Sequence, residues 1–95
     1  MVVVGVQIVE VFLRRHPECR QELSELIREL RSGDFLDPNA LRAQYPSIKI
    51  IDGVTVVFKV RGNKYRLTAT VAYKTKVVVI RAMETHADYD RRRLK

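Results

Sequence analysis

The stretch VTVVFKVRGNKYRLTATVAY, residues 54–73, constrains this chain more than any other. Two runs alternate apolar and polar residues on either side of one turn signal, the pattern of a β-hairpin with two unlike faces. Val54, Val56, Phe58 and Val60 fall on one face of the first strand, with Thr55, Val57, Lys59 and Arg61 on the other. In the second strand Tyr65, Leu67, Ala69, Val71 and Tyr73 point inward, and Lys64, Arg66, Thr68 and Thr70 outward. If Gly62-Asn63 forms a two-residue turn, Arg61 faces Lys64 and Lys59 faces Arg66. Like charges set directly opposite one another destabilise a sheet. Four cations with no carboxylate among them therefore call for an external counterion, and a phosphate backbone supplies one.

The next segment, KVVVIRAM at 76–83, is apolar on both faces apart from Arg81, as befits an interior strand. Three strands joined by tight turns make an antiparallel meander, and Met1–Val4 is a short β-branched run that adds an N-terminal strand. Between them the periodicity is helical. Ile8, Val11 and Phe12 recur on one side of a helix over 6–15. After the His16-Pro17 corner, Leu23, Leu26, Ile27 and Leu30 form one stripe that Gly33 ends. Asp37 caps a short helix that starts at Pro38 and stops before Pro46. The resulting expectation is an α+β domain over residues 1–95: a small antiparallel sheet with an N-terminal helical hairpin on its apolar face. The opposite, basic face stays open.

Charge is segregated. The net charge of +7 divides into 6 basic and 7 acidic residues in 1–48, and 12 basic and 4 acidic in 49–95. Such asymmetry points to a polyanionic partner, nucleic acid before membrane. The opening run MVVVGVQIVEVFL lacks a basic start and a cleavage site, and is too short and polar to span a bilayer. Cys19 stands alone, so a reducing cytoplasm is the expected compartment.

RAMETHADYDRRR offers a candidate site. Thr85 caps a C-terminal helix with Asp88 three residues on, and His86 and Tyr89 share one side of it. A histidine, a phenol and several guanidinium groups, without metal-ligand spacing, suit phosphodiester transfer in RNA, where the 2′-hydroxyl is the nucleophile. Arg91, Arg92, Arg93 and Lys95 form a basic tail. His16 is expected to form only a corner, and Cys19 to fill space on a helix.

The segments FKVRGNKYRL, AY and VVIRAMETHADYDR together resemble the C-terminal half of HigB-type toxins, within the RelE-like superfamily of toxin–antitoxin systems. The resemblance is specific over 54–91 and extends loosely upstream through FLDPNALRAQYPS. It implies a RelE-like fold, cleavage of mRNA on the ribosome without a cofactor or metal, and a HigA-type helix-turn-helix antitoxin as partner, away from any membrane. By position, Asn63 and Arg66 match the hairpin motif, Arg81 the strand arginine, and Thr85, His86, Tyr89 and Asp90 the terminal motif. These matches, taken with the charge of the hairpin and tail, give an expected catalytic set of Arg66, His86, Tyr89 and Lys59, with Arg61, Lys64, Arg81, Asn63 and Arg91 binding RNA. Arg81 has two open roles, holding phosphate or orienting the His86 segment. Lys59 stands where many relatives have Asn, and Glu84, where Gly often precedes the Thr-His pair, sets a carboxylate beside His86 in sequence. A non-catalytic RNA- or ribosome-binding module is the alternative, because it needs the same cationic face.

Overall fold

A sheet forms the middle of the protein in the computed structural model, which describes residues 1–93, the last without its side chain; Lys95 and the Arg93 side chain lie outside it. The order is β1 (Val2–Val4), α1 (Val6–Arg15), a 3₁₀ turn (Pro17–Cys19), α2 (Arg20–Ser32), α3 (Pro38–Gln44), β2 (Lys49–Ile50), β3 (Thr55–Val60), β4 (Tyr65–Ala72), β5 (Val77–Thr85) and α4 (His86–Arg93). The strands lie in the order β1-β5-β4-β3-β2.

Local chemistry accounts for the helices. The apolar stripe of α2 buries Leu23, Leu26, Ile27 and Leu30, and α1 adds Val9 and Leu13. These pack on the inward residues of β3, β4 and β5, among them Phe58, Leu67, Val78 and Ile80. Leu23 and Leu30 are essentially inaccessible, and truncating either to Ala costs about 2–5 kcal/mol. Cys19 is fully buried, and burial pushes its thiol pKa up, so it fills space. Asp37 caps α3 by accepting from the Ala40 N–H at 2.9 Å, as the sequence indicates. Between β1 and α1, Gly5 adopts φ +91°, and a Cβ there would sit 2.7 Å from the Ile80 carbonyl oxygen. That close approach lets the chain leave the sheet edge directly into a helix.

Three expectations need correction. The meander β3-β4-β5 is present, but the sheet has five strands and is mixed. β1 runs parallel to β5 through Val2–Val77, Val3–Val78 and Val4–Val79, and the two-residue β2 pairs with β3. Second, the basic face is not open along its length. Val57 and Tyr89 are 1% and 4% exposed, because α4 folds back over that end. Third, the hairpin turn spans 61–64 rather than 62–63. Arg61 and Gly62 both have positive φ, +54° and +68°, and the ladder closes at Val60–Tyr65. Closing an Arg61–Lys64 pair would oppose two cations; the Arg61 N–H instead donates to both oxygens of Glu22 at 3.1 Å.

No helix among the described residues is long and apolar enough to cross a membrane.

Candidate functional site

The predicted facing of Lys59 and Arg66 holds, and the row extends one strand further, to Glu84 on β5. This is the carboxylate that the sequence left out of the balance. It does not neutralise Arg66. Arg92 takes it from α4, through Nε at 3.2 and 3.1 Å and an amino nitrogen at 2.8 Å. Lys59, Arg66 and Arg92 against one carboxylate leave the row positive.

Arg66 is the unusual member. It is 7% exposed, and cations are rarely buried without an anion. Among the described residues its hydrogen bonding uses one amino group, which donates to the Asn63 carbonyl at 3.1 Å. Its guanidinium carbon lies 5.8 Å from the Tyr89 ring centroid. A guanidinium has five N–H donors in a planar fork, so this one offers an anion a charge already aimed and partly dehydrated.

Tyr89 is the hub beneath. Besides Arg66, the Lys49 ammonium is 5.8 Å and the Arg92 guanidinium 5.5 Å from its centroid, within cation–π range. With 4% exposure, the ring holds these cations from inside the protein. The sequence assigns Lys49 no role and places Arg92 only in the basic tail, as a free end or a contact with RNA. Arg92 lies three residues after Tyr89 on a helix, a spacing that signals contact; Lys49 is brought in only by β2.

His86 hangs from the same turn. Its backbone N–H donates to the Lys64 carbonyl at 2.8 Å, one residue from the carbonyl that holds Arg66. The Asp88 N–H donates to Thr85 Oγ1 at 3.1 Å, so the expected cap is real, while the Asp88 carboxylate pairs with Arg91 at 3.0 Å. His86 Nδ1 lies 2.9 Å from Asp90 Oδ2. A carboxylate at Nδ1 selects the tautomer that leaves Nε2 for proton transfer. The partner is thus Asp90, not the neighbouring Glu84.

The remaining candidates spread out. Asn63 contributes its carbonyl, and Arg61 and Lys64 sit exposed in the turn. Lys59 is exposed and borders a groove that also takes in Glu22, Glu25 and Glu29 of α2. Arg91 is exposed and paired with Asp88. Arg81 is not brought to Arg66. It is the extra residue of a β-bulge, between Thr68–Ala82 and Ala69–Ile80, and its Nε donates to Thr70 Oγ1 at 3.2 Å. Thr70 is four residues along β4 from Arg66, about 13 Å at strand rise. No three His, Cys, Asp or Glu side chains gather as metal ligands among the described residues.

Sequence reasoning also missed a second cluster. The Tyr65 hydroxyl donates to Glu18 Oε2 at 2.8 Å and lies 3.2 Å from His16 Nδ1, and the His16 ring stacks on Phe12 at 4.4 Å. The bond to Glu18 pushes the Tyr65 phenol up, while the Glu18 backbone N–H and then Tyr65 pull the carboxyl down.

A family profile described as HigB_toxin, RelE-like toxic component of a toxin-antitoxin system, matches residues 19–92. The chain belongs to the HigB toxin family. It is 34% identical over 79 residues to the mRNA interferase toxin HigB of Escherichia coli (strain K12), covering 80% of this chain and 75% of that protein. The same identity and coverage hold for the mRNA interferases HigB of Escherichia coli O157:H7 and Shigella flexneri. The HigB match spans α2 through α4, and so takes in Lys59, Arg66, His86 and Tyr89.

Proposed function

We propose that this HigB-family toxin is an endoribonuclease that cuts mRNA in the cytoplasm, on the ribosome, by attack of the RNA's own 2′-hydroxyl. The buried Arg66 carries this reading. Its guanidinium is held by Asn63 and the Tyr89 ring, and no carboxylate among the described residues is bonded to it. Charge fixed in advance, where negative charge develops on a phosphate, is the largest single source of catalysis in such sites.

The chemistry then follows from the groups present. The 2′-oxygen attacks phosphorus as its proton leaves, and the bond to the 5′-oxygen breaks as that oxygen gains a proton. Arg66, with Lys59 across the ladder, stabilises the crowded, more anionic phosphorus. His86 Nε2, its ring oriented by Asp90, moves a proton. The upstream product carries a 2′,3′-cyclic phosphate and the downstream product a 5′-hydroxyl. No step uses a metal, so cleavage continues in EDTA when the substrate is kept intact by other means. A HigA-type helix-turn-helix antitoxin is the proposed inhibitor.

Induction in a bacterial host, with mapping of RNA 5′ ends, tests the reading. New 5′-hydroxyl ends should appear within translated regions, and Arg66→Ala should abolish them. Wild-type cleavage in Arg66→Ala, or an unchanged rate on RNA with a 2′-deoxy at the cut site, would overturn it.

A further inference from the structure

Glu84 stands directly opposite Arg66 in the β4–β5 ladder. Side chains so paired share one face of the sheet, with Cβ atoms about 4.5–5.5 Å apart. A glutamate that near a buried guanidinium ordinarily closes an ion pair with it, because a buried cation without an anion is costly. Here that pair is not made. Among the described residues no carboxylate is bonded to Arg66, whose amino group donates to the Asn63 carbonyl instead.

The reason lies on α4. β5 passes into α4 between Thr85 and His86 with no loop, so the helix turns back over its own strand and sets Arg92 on Glu84. Arg92 takes both carboxylate oxygens, through Nε at 3.2 and 3.1 Å and an amino nitrogen at 2.8 Å. One ring touches both arginines, since the Tyr89 centroid lies 5.5 Å from the Arg92 guanidinium and 5.8 Å from that of Arg66. The carboxylate nevertheless goes to the half-exposed arginine and not to the buried one. Lys59, the other cation of the row, is two strand spacings from Glu84, about 10 Å. A released Glu84 would therefore meet Arg66 first.

We propose that Arg92 is a positioning residue for the cleavage reaction: by holding the Glu84 carboxylate it keeps Arg66 uncompensated and open to a phosphate. This rests on the reading of Arg66 as the phosphate site. Without Arg92, Glu84 turns to Arg66, and an internal carboxylate then competes with the RNA for the same guanidinium fork. Arg92 thus raises activity without touching the RNA.

The test is a double-mutant cycle, read as cleavage of mRNA on translating ribosomes by the purified protein. Arg92→Ala should lower kcat/KM about tenfold or more, the size of one charged hydrogen-bonding contact. The loss should sit mainly in KM, because the carboxylate competes before the RNA binds. Adding Glu84→Gln should restore kcat/KM to within a few-fold of the wild type, and Glu84→Gln alone should stay near it. Arg92→Lys, which keeps a cation beside Glu84, should lose less than Arg92→Ala. In NMR spectra of isotopically labelled protein, the Arg66 Nε–H signal should move in Arg92→Ala and return in the double variant. Arg92→Gln takes the place of Arg92→Ala if circular dichroism shows that the alanine variant does not fold. A double variant as impaired as Arg92→Ala would overturn the proposal, since Arg92 would then act on RNA itself or only through the packing of α4. Full activity in Arg92→Ala would overturn it too. Failure of the parent reading looks different: Arg66→Ala would then cleave as the wild type does, whereas failure of this inference alone leaves Arg66→Ala inactive.

Discussion

His16 and His86 stand on opposite sides of the same strand end. His16 touches Tyr65, which pairs across the ladder with Thr85; the His86 backbone is bonded to Lys64, the residue before Tyr65. Each imidazole has a carboxylate near Nδ1, Glu18 at 3.6 Å for one and Asp90 at 2.9 Å for the other. Side-chain exposure, 27% and 40%, hardly separates them. Their neighbours do. His16 is stacked on Phe12 and tilted against Tyr65, with the core behind it. His86 projects from a helix start whose backbone is bonded to Lys64, in the same turn whose Asn63 carbonyl holds Arg66. The same residue type with the same partner type thus serves packing in one corner and suits chemistry in the other. An imidazole moves protons for a substrate only where the substrate's charge is also met.

Exchanging the two histidines for alanine should break that comparison most visibly. His86→Ala should lower RNA cleavage by about 10²-fold or more, with little change in melting temperature. His16→Ala should do the reverse, keeping cleavage within a few-fold while the protein melts earlier, as circular dichroism would record. Equal losses of cleavage would mean that the two corners form one site.

Charge sharpens the contrast on a smaller scale. Replacing Lys59 and Arg61 with Gln should flatten the slope of log affinity for RNA against log salt, by roughly one unit per lost phosphate contact. Arg15 lines the groove next to His16, yet replacing Arg14 and Arg15 should leave the slope alone. Matching changes from both pairs would show that RNA also runs over the stacked corner.

The smallest expected effect concerns pH. The Glu18 carboxyl is held below its ordinary value, so its contribution to stability is present at neutral pH and lost as pH falls through the lowered pKa. Tyr65 is raised, so its contribution persists into alkaline solution and is lost as pH rises through the raised pKa. Tyr65→Phe removes the phenol's contribution and its share of the Glu18 shift, leaving the larger share that the Glu18 backbone N–H supplies. Its melting temperature should trail the wild type at neutral pH and converge with it in acid. A constant deficit down to low pH would show that the phenol's bond to Glu18 is not what Phe removes.

What was legible in the sequence is what neighbouring residues decide among themselves. Leucine spacing placed α2, Asp37-Pro38 placed the start of α3, and alternation placed Lys59 opposite Arg66. The facing survived a wrong turn length because either turn pairs residues 59 and 66. Less legible was anything set by two distant segments meeting. Val57 belongs by alternation to the polar face, and only the arrival of Tyr89 explains an apolar residue there. β2 has two residues, too few for a pattern, yet it delivers Lys49. Glu84 beside His86 in sequence suggested a carboxylate for the imidazole. Strand geometry sends Glu84 to Arg92, and one helical turn gives Asp90 to His86 instead.

The bulge at Arg81 makes the length of β5 a matter of one inserted or deleted residue. Ile80 faces Ala69 and Met83 faces Leu67, both toward the core, and Ala82 and Glu84 face outward with Thr68 and Arg66. Strike out Arg81, and the remaining residues alternate without a fault. Loss of that single codon would leave every other side chain of β5 on the side it now occupies. Such a variant should keep its hydrophobic interior while the strand straightens and carries Thr85 and the helix behind it to a new heading. Strand length at this place is an adjustable quantity, through which a lineage could re-aim His86 without redesigning anything beneath it.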